Sequence, residues 1–400
     1  MAEQMVNENS MKITEFEMIG KFPNLFAFDN GEKVLTKEDW HKKKSKMYKD
    51  VIELQYGVQP PAPDFLEIEP TYLGGSPSTY IIKTGKKDSP LCFTMTVFKA
   101  SKEKAPVVIT GDSCFKYIYN KEYISTFLNA GIHFVAFNRT ELAPDIAQYN
   151  INSLIEDSYE RKLAQKTFDE TLALGNTGGQ LKKTYPEYTF GTIGAWAWGY
   201  SRCVDALEKL GFADMDYIAF TGHSRGGKAC ALAGALDERA SIVNPNASCS
   251  GGYGSYRVKI KADVDGVIKE SEPLSNQFYH FPTWLGNGMK KFIDNEAEIP
   301  FDSHHLKAMI APRTLFISES ADDIMANPVG SYLTTEKAEK VFELLDAKEN
   351  LIWYFRRGPH YQTIEDISQL VNVIRHKKYG EPLNDKFFKL PFKKSELKTK

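Results

Sequence analysis

Short, almost wholly apolar runs recur through the central part of the chain, separated by longer segments in which small, apolar and charged residues mix. The runs occupy positions 107–110, 133–137, 217–220, 241–243, 314–318 and 351–355. Strands that are buried on both faces of a parallel sheet have this length and composition. The crossover helices can form in the intervening segments 119–130, 194–207 and 333–345. This alternation predicts an α/β fold with a doubly wound, mostly parallel sheet and helices on both faces.

The region before the first of these runs has a different pattern. Two strand-like runs, Tyr80–Ile82 and Cys92–Phe98, flank a turn-prone stretch at 85–89 that contains glycine, aspartate and serine. Two such runs around a turn are typical of an antiparallel pair. We expect this pair to form the N-terminal edge of the sheet.

Two polar stretches interrupt the alternation. Residues 139–190 are too long for a simple loop between a strand and a helix, so we expect an insertion near the functional site. The second stretch begins with a loop at 244–256 and continues as a charged segment to Glu298, which is expected to be irregular. The predicted organisation is a flexible N-terminal segment, a single α/β domain and an exposed, lysine-rich tail, at residues 1–20, 21–380 and 381–400.

Composition narrows the function classes. The 400 residues are 42% hydrophobic and 26% charged, which is ordinary for a globular protein with a sizeable core. The formal net charge is −2 and no basic stripe is visible, so nucleic acid is not an expected partner. The five cysteines are scattered and form no C-x-x-C pair, which argues against a disulfide framework and against a metal site.

Neither a membrane-spanning segment nor a signal peptide is visible. No apolar run is long enough to cross a bilayer, and the first ten residues are polar. They lack the apolar core of a secretory signal. We therefore expect no membrane partner and a cytoplasmic location, or a secreted one if an N-terminal leader was trimmed.

The stretch Phe220-Thr-Gly-His-Ser-Arg-Gly-Gly-Lys228 carries the candidate chemistry. An apolar run precedes it, and a helical run of small residues at 229–236 follows it. Gly222-His-Ser-Arg-Gly226 fits G-x-S-x-G, a pattern in which a sharp strand-to-helix turn exposes the central serine, Ser224. The helix N-terminus at the serine favours developing negative charge. The sequence therefore predicts a nucleophile elbow, and with it an α/β-hydrolase fold for the domain at 21–380.

A serine hydroxyl needs a base to remove its proton and a carboxylate to orient that base. His360 follows the last predicted strand, where this fold places its base. His223 adjoins the nucleophile, but we expect it, as the sequence neighbour of Ser224, to point to another face of the turn. Among the remaining histidines, His304 is expected to make a supporting hydrogen bond near Asp302, a predicted helix N-cap.

Three carboxylates follow the strand-like run that ends at position 318: Glu319, Asp322 and Asp323. Asp323 is the preferred orienting acid because it lies just before a proline-bounded loop that could turn it inward, and Asp322 is the runner-up. The chain order serine, aspartate, histidine then agrees with the hydrolase pattern. Backbone N–H groups are expected to stabilise the oxyanion, one from Arg225 and a second from the loop Gly111–Ser113.

Longer motifs around the elbow resemble those of the glucuronoyl esterases, carbohydrate esterase family 15. Gly222–Lys228 is similar to the family's G-C-S-R-x-G-K motif, and Gly194-Ala-Trp-Ala-Trp-Gly-Tyr-Ser-Arg202 is similar to its A-W-A-W-G-x-S-R helix. Pro300–Leu306, followed by Ile310-Ala-Pro-Arg313, resembles its P-F-D-x-H block and I-A-P-R sequence. The resemblance runs from about residue 20 to 380. It implies a cofactor-free esterase, extracellular in most members, that cleaves the ester between a xylan glucuronate and a lignin alcohol.

The resemblance also implies roles for individual residues. Ser224 matches the nucleophile, and His360 matches the base. Arg225 matches an arginine whose side chain helps to hold the oxyanion. Lys228 matches a lysine that contacts the sugar, and Trp284 matches a tryptophan that lines the substrate cleft.

The chain departs from the family's pattern at the acid. Fungal members carry the triad glutamate in a P-Q-E-S-G-S-G-G loop, whereas Ala247 stands at that place in Pro245-Asn-Ala-Ser-Cys-Ser-Gly-Gly252. Some bacterial members resemble this chain in having an acid after the later strand, which supports Asp323. The sugar-contacting residues that follow the fungal C-W-R triplet are not recognisable after Ser255-Tyr-Arg257.

The favoured hypothesis is a serine esterase that acts on 4-O-methyl-glucuronoyl esters of xylan, with a glucuronoxylan-derived oligosaccharide or another uronate ester as substrate. Lys228 and Arg257 favour it over an acetyl xylan esterase of the same fold, because a uronate ester offers polar sugar groups to bind. The complete Ser, Asp, His set argues against a non-catalytic carbohydrate-binding relative. The polar N-terminus indicates action on imported oligosaccharides. The alcohol leaving group, the exact sugar and the oligomeric state stay open.

Overall fold

The computed structural model describes residues 12–72, 77–173 and 177–397. In these ranges the strands are β1 Lys12–Met18, β2 Phe65–Tyr72, β3 Ser78–Lys86, β4 Ser89–Phe98, β5 Ala105–Thr110, β6 His133–Phe137, β7 Ala213–His223, β8 Ile242–Asn246, β9 Val258–Val264, β10 Val267–Glu270, β11 Thr314–Ser320 and β12 Leu351–Arg356. The helices are α1 Lys37–Met47, α2 Leu54–Tyr56, α3 Lys121–Asn129, α4 Gln148–Asn152, α5 Tyr159–Ala173, α6 Gly179–Thr184, α7 Thr192–Leu210, α8 Arg225–Leu236, α9 Leu274–His280, α10 Ser303–Ala308, α11 Pro328–Leu344 and α12 Ile364–Tyr379.

The central sheet has nine strands within the described ranges, in the order β12-β11-β8-β7-β5-β6-β4-β3-β2. Neighbours from β12 to β6 pair in parallel. The strands β4, β3 and β2 then extend the sheet by antiparallel pairing. The predicted mostly parallel sheet with an antiparallel N-terminal edge is confirmed, with β2 added outside the predicted pair.

Helices cover both faces of this sheet. All six residues of β5 are buried, and their side chains alternate between two core clusters. Val107 and Ile109 contact the cluster that contains residues of α7 and α8, whereas Val108 contacts the cluster that contains residues of α3 and α12. Successive side chains of a strand point to opposite faces, so a strand that is covered on both sides has no polar face. This is why the central strands appear in the sequence as continuous apolar runs.

Both ends of the chain differ from the expectation. Of the segment 1–20 that was expected to be flexible, residues 1–11 lie outside the described residues, and β1 pairs antiparallel with β9. The tail at 381–400, expected to be exposed, buries three apolar side chains in the core, those of Phe387, Leu390 and Phe392. These side chains are interspersed among lysines, so the high lysine content of the segment concealed them.

The two polar stretches contain regular structure. The stretch before Glu298, expected to be irregular, contributes β9 and β10, which form a three-stranded sheet with β1. Along β9 buried residues alternate with partly exposed ones, as in a strand with one solvated face. The insertion at 139–190 contains α4, α5 and α6. In the described ranges no helix is both long enough and apolar enough to span a membrane.

Candidate active site

The turn at Ser224 joins the end of β7 to the start of α8, at the carboxyl edge of the central sheet. Ser224 has a φ of 55°, in the left-handed region that non-glycine residues rarely adopt. The Ser224 N–H donates to the carbonyl of Asn246, and the Lys228 N–H donates to the carbonyl of Ser224, each at 3.0 Å. Such strained backbone is common at functional sites when the surroundings hold it in place. The turn therefore presents the partly exposed Ser224 at a helix N-terminus, as the elbow pattern predicts.

The two glycines of the motif allow two close approaches. A Cβ atom on Gly222 would lie 2.4 Å from the carbonyl oxygen of Gly226. A Cβ atom on Gly226 would lie 2.1 Å from Oδ1 of Asp112, which is buried at the end of β5. Neither position can therefore carry a side chain without a shift of the backbone or of that carboxylate.

His360 and Asp323 meet at the same edge of the sheet. Asp323 follows β11 and His360 follows the neighbouring strand β12, and Nδ1 of His360 contacts Oδ2 of Asp323. The Asp323 side chain is 4% exposed, whereas the His360 ring is 28% exposed. A carboxylate that accepts from Nδ1–H leaves Nε2 to accept a proton from a nucleophile. The ring of His360 also lies 4.5 Å, between centroids, from the ring of His223, the residue before Ser224.

The other two candidate acids have different partners. Asp322 accepts from Nε of Arg357 at 2.7 and 2.9 Å and from the N–H of Gly358 at 2.6 Å, so it braces the loop before His360. Glu319 is fully buried and accepts a hydrogen bond from Oγ of Ser331 at 3.0 Å. Burial raises the pKa of Glu319 to about 8. Of the three, Asp323 is the carboxylate that contacts the imidazole of His360.

A buried arginine holds the loop that carries His360. Arg356, the last residue of β12, donates through Nε to Oδ2 of Asp366 at 2.7 Å. Its other N–H groups donate to three carbonyls of the loop, those of Arg357, Pro359 and Tyr361. Charge-assisted hydrogen bonds of this kind are roughly twice as strong as neutral ones. Sequence reasoning missed this role, because an arginine at the end of an apolar strand carries no motif.

Arg225 lies beside the nucleophile on an aromatic platform. Its Nη1 donates to both carboxylate oxygens of Asp145 at 3.1 and 3.0 Å, and Asp145 belongs to the insertion at 139–190. The guanidinium lies 4.9 Å from the ring centroid of Phe281 and 4.9 Å from that of Trp284. These two rings stack on each other with a centroid separation of 3.6 Å. The Arg225 backbone N–H belongs to the first turn of α8, whose N–H groups have no acceptor within the helix.

The prediction of a second N–H donor from the loop Gly111–Ser113 is wrong. Each N–H of this loop already donates to an acceptor inside the protein. The acceptors are Oη of Tyr200 at 3.1 Å, Oγ1 of Thr110 at 3.3 Å and the carbonyl of Phe137 at 3.3 Å. The loop therefore supports the sheet edge and has no N–H left to direct at an oxyanion.

Asp112 has a structural role that the sequence did not reveal. Its buried carboxylate forms an ion pair with Arg139, which is also fully buried. It also accepts from Oη of Tyr117 at 2.7 Å and from the backbone N–H of His223 at 2.9 Å. Asp112 therefore ties the last residue of β7 to the neighbouring strand immediately before the nucleophile.

Two of the predicted substrate-binding residues lie at the site. Lys228 is 1% exposed, and its Nζ donates to the carbonyl of Ser248 at 2.7 Å and lies 5.7 Å from the ring of Trp284. Trp284 is 3% exposed, and its Nε1 donates to Oδ1 of Asp145 at 3.4 Å. Both side chains are therefore buried next to the turn that carries Ser224 and Arg225.

Arg257 is not at the site, and the prediction that it binds substrate is wrong. Its guanidinium is buried, lies 3.6 Å from the carboxylate of Asp302, and donates to three backbone carbonyls. The carbonyls belong to Phe301, Ala297 and Ile299. The charge of Arg257 is therefore used to hold the chain before α10. Asp302 is the N-cap of α10, as predicted.

Glu272, between β10 and α9, is a site residue that the sequence did not single out. Burial raises the pKa of its carboxyl, against the opposing charges of Lys228, His360 and Arg225. Glu272 therefore lies within electrostatic range of these three residues. Glu272 also lines a cleft of about 410 Å³ together with Tyr279 and Met325. A larger cleft of about 680 Å³, lined by β1 and β9, contains none of the predicted site residues.

The assembled groups are those that acyl transfer requires. A serine lies on a strained turn at a helix N-terminus, with a carboxylate-bound imidazole and an arginine beside it. Together these groups provide a nucleophile, a general base and a positive field for an oxyanion. Among the residues that the structure describes, no group of three or more His, Cys, Asp or Glu side chains could hold a metal ion.

Comparisons with known proteins agree with this chemistry. The family profile described as "Glucuronyl esterase, fungi" matches residues 166–346. A 4-O-methyl-glucuronoyl methylesterase of Podospora anserina is 28% identical over 331 residues, which cover 81% of this chain and 60% of that protein. A second one, of Hypocrea jecorina, is 26% identical over 379 residues, which cover 93% of this chain and 73% of that protein. The chain thus spans less than two thirds of the Podospora anserina relative.

Solved structures are similar over most of the chain. The carbohydrate esterase family 15 glucuronoyl esterase of Caldicellulosiruptor kristjansonii superposes with a TM-score of 0.76 at 26% identity. The match covers 93% of this chain and 94% of that one. The whole α/β domain, and not only the elbow motif, is therefore shared with that structure.

Proposed function

Because the chain belongs to the glucuronoyl esterase family, carbohydrate esterase family 15, we propose that it is a serine esterase that hydrolyses glucuronate esters. Its substrates in this proposal are 4-O-methyl-glucuronoyl esters on xylan-derived oligosaccharides. The observation that carries the proposal is the contact of His360 with the buried carboxylate of Asp323, at the sheet edge that presents Ser224. The names of the relatives support the substrate class. One solved relative, from Sporotrichum thermophile, is a complex with methyl 4-O-methyl-β-D-glucopyranuronate.

In the first half of the reaction the serine is acylated. Nε2 of His360 takes the proton of Ser224 Oγ as this oxygen attacks the ester carbonyl carbon. Asp323 holds the ring through Nδ1 and stabilises the imidazolium that forms. The tetrahedral oxyanion is stabilised by the N–H groups of Arg225 and by the N-terminal end of α8. When the intermediate collapses, the bond from the carbonyl carbon to the alcohol oxygen breaks and the imidazolium gives its proton to the leaving alcohol.

In the second half water repeats the sequence. Nε2 of His360 takes a proton from a water molecule, whose oxygen attacks the carbonyl carbon of the acyl-enzyme. Collapse of the second intermediate breaks the bond to Ser224 Oγ and returns the proton to the serine. The products are the free uronate and an unmodified enzyme, so the cycle needs no cofactor.

The polar groups beside the triad support a sugar acid as the acyl group. A uronoyl group carries ring hydroxyls that need both donors and acceptors when they are taken out of water. Lys228 offers ammonium N–H donors, and Glu272, on whose carboxyl the charge of Lys228 acts, offers oxygen acceptors. An acetyl group has no hydroxyl to satisfy and would gain nothing from either residue. The pair therefore favours a uronate ester over an acetyl ester.

The test is a side-by-side measurement of rates on benzyl glucuronate, methyl glucuronate and acetylated xylan with the purified protein. The proposal expects both glucuronate esters to be hydrolysed with a kcat/KM well above that for acetylated xylan. A clear preference for acetylated xylan would make the protein a deacetylase of the same fold. Lack of turnover on all three substrates would favour a carbohydrate-binding relative.

A further inference from the structure

His223 does not point away from the catalytic base. Its ring lies 4.5 Å from the ring of His360, between centroids, at an interplanar angle of 46°. On another side Tyr117 contacts it edge-on at 6.5 Å. Its backbone N–H is fixed to the buried carboxylate of Asp112 at 2.9 Å. The ring of His223 therefore lies between the end of β7 and the loop that carries His360. The rings of His360 and Tyr117 contact it, and the bond to Asp112 fixes its backbone.

The hydrogen bonds of Asn246 set the tautomer of His223. Nδ2 of Asn246 donates to the carbonyl oxygen of Ser318 at 3.1 Å, and a carbonyl oxygen can only accept. Oδ1 of Asn246 is therefore the atom that lies 2.7 Å from Nδ1 of His223, and Nδ1 of His223 carries the proton. This bond fixes the plane of the His223 ring, because Asn246 is itself buried in β8.

We propose that His223 is a positioning residue for the general base, and that its ring fixes the imidazole plane of His360 so that Nε2 stays directed at Ser224. The inference rests on the proposed esterase function. His360 lies in a loop and is held at Nδ1 by Asp323, a contact about which the ring can still rotate. The ring of His223, with its centroid 4.5 Å away, limits that rotation on one side. No bond between His223 and the substrate is involved.

The charge state of His223 suits this role. Burial, and next the positive charge of His360, lower the pKa of His223 to about 3, and Arg356 acts in the same direction. His223 therefore stays neutral when His360 accepts the serine proton. A neutral ring can lie against an imidazolium without charge repulsion, whereas a second cation at this distance would oppose proton transfer.

Three variants test the proposal. His223→Ala removes the ring and should lower kcat on methyl glucuronate by about 10- to 100-fold with KM changed less than about twofold, since a displacement of about 1 Å can cost 10²-fold. His223→Phe keeps a ring against His360 but loses the ring's hydrogen bonds to Asn246 and to the backbone of His360. It should recover most of kcat while melting below the wild type. His133→Ala is the matched control, because His133 is a buried histidine of β6 that accepts from the N–H of Ala100. It should lower the melting temperature and leave kcat unchanged.

The proposal is overturned if His223→Ala keeps kcat within about twofold of the wild type, or if the Ala and Phe variants lose kcat equally. It is also overturned if His133→Ala loses as much kcat, because the effect would then follow stability. All variants are measured on an aryl acetate as well as on methyl glucuronate. A wild type that hydrolyses only the aryl acetate refutes the proposed substrate. The ranking of the variants by kcat on the aryl acetate then still decides whether His223 positions His360.

Discussion

Asp323→Asn removes the negative charge that holds His360 while keeping the shape of the side chain. The carboxylate is 4% exposed, so little solvent screens its action on the imidazole. An asparagine amide that donates to Nδ1 would leave the proton on Nε2, the atom that must accept from Ser224. The same exchange in a serine protease costs about 10⁴-fold in kcat, which corresponds to about 5 kcal/mol of transition-state stabilisation. We expect a loss of this order, with the protein still folded.

The neighbouring carboxylates are matched controls for this variant. Asp322→Asn loses the charge that pairs with Arg357, which is 41% exposed, so about 1 kcal/mol of stability or less is at stake. Its kcat should stay within a few-fold of the wild type. Glu319→Gln should lower kcat only mildly, because burial raises the pKa of the Glu319 carboxyl to about 8 and so already keeps it protonated at neutral pH.

The assay is kcat and KM on methyl glucuronate for the three single variants, with thermal melting to confirm folding. The reasoning fails if Asp323→Asn turns over near the wild-type rate while Asp322→Asn or Glu319→Gln collapses, since the acid would then be a different residue. If all three variants stay active, the site works as a serine–histidine dyad and the contact at Nδ1 has no catalytic weight.

The remaining predictions concern binding, a buried arginine and acid sensitivity. Lys228→Ala should raise KM for glucuronate esters by a factor that corresponds to about 1–3 kcal/mol of lost binding free energy, and it should change KM for an aryl acetate little. Equal changes in KM for both substrates would make Lys228 a purely structural residue. Arg257→Lys should lower the free energy of unfolding, measured in urea, by about 3 kcal/mol, because buried hydrogen bonds of the guanidinium are lost. The ratio of KM for the two substrates should stay unaltered. A changed ratio would show that Arg257 takes part in substrate binding. Burial lowers the pKa of His304 to about 4, below the value near 6.5 of an unfolded histidine. The unfolded state therefore binds the proton more readily, and the free energy of unfolding falls as the pH drops from about 6.5 towards 4. His304→Gln should therefore reduce the loss of unfolding free energy between pH 7 and pH 5 by about 2 kcal/mol, and an unchanged loss would contradict this origin.

Residues that act through local backbone could be predicted from the sequence. The elbow at Ser224 needs a strand, two glycines and a helix within a few positions, and all of them are visible in one stretch. The edge shared by Asp323 and His360 follows from the order of parallel strands, because both residues come just after apolar runs.

Residues that act through distant contacts could not be predicted in this way. Arg257 was misplaced because nothing in its neighbourhood indicates that carbonyls 40 to 44 positions later would accept its N–H groups. Glu272 lies next to a segment whose alternating charges concealed two strands, so its electrostatic interaction with Lys228 and His360 was not visible in the sequence. The contact of His223 with His360 differs from the expectation that a sequence neighbour of the nucleophile faces away. The positive φ of Ser224 changes the chain direction between the side chains of His223 and Ser224.

The most direct test of the central claim is kcat/KM for methyl glucuronate with purified wild type, Ser224→Ala and His360→Ala, each checked for folding. We predict that the wild type releases methanol and free glucuronate, and that each variant loses about 10³-fold or more, because members of a triad act as a unit. A folded wild type without turnover, or either variant retaining more than about a tenth of the wild-type rate, would contradict the assignment of Ser224 and His360 as nucleophile and base.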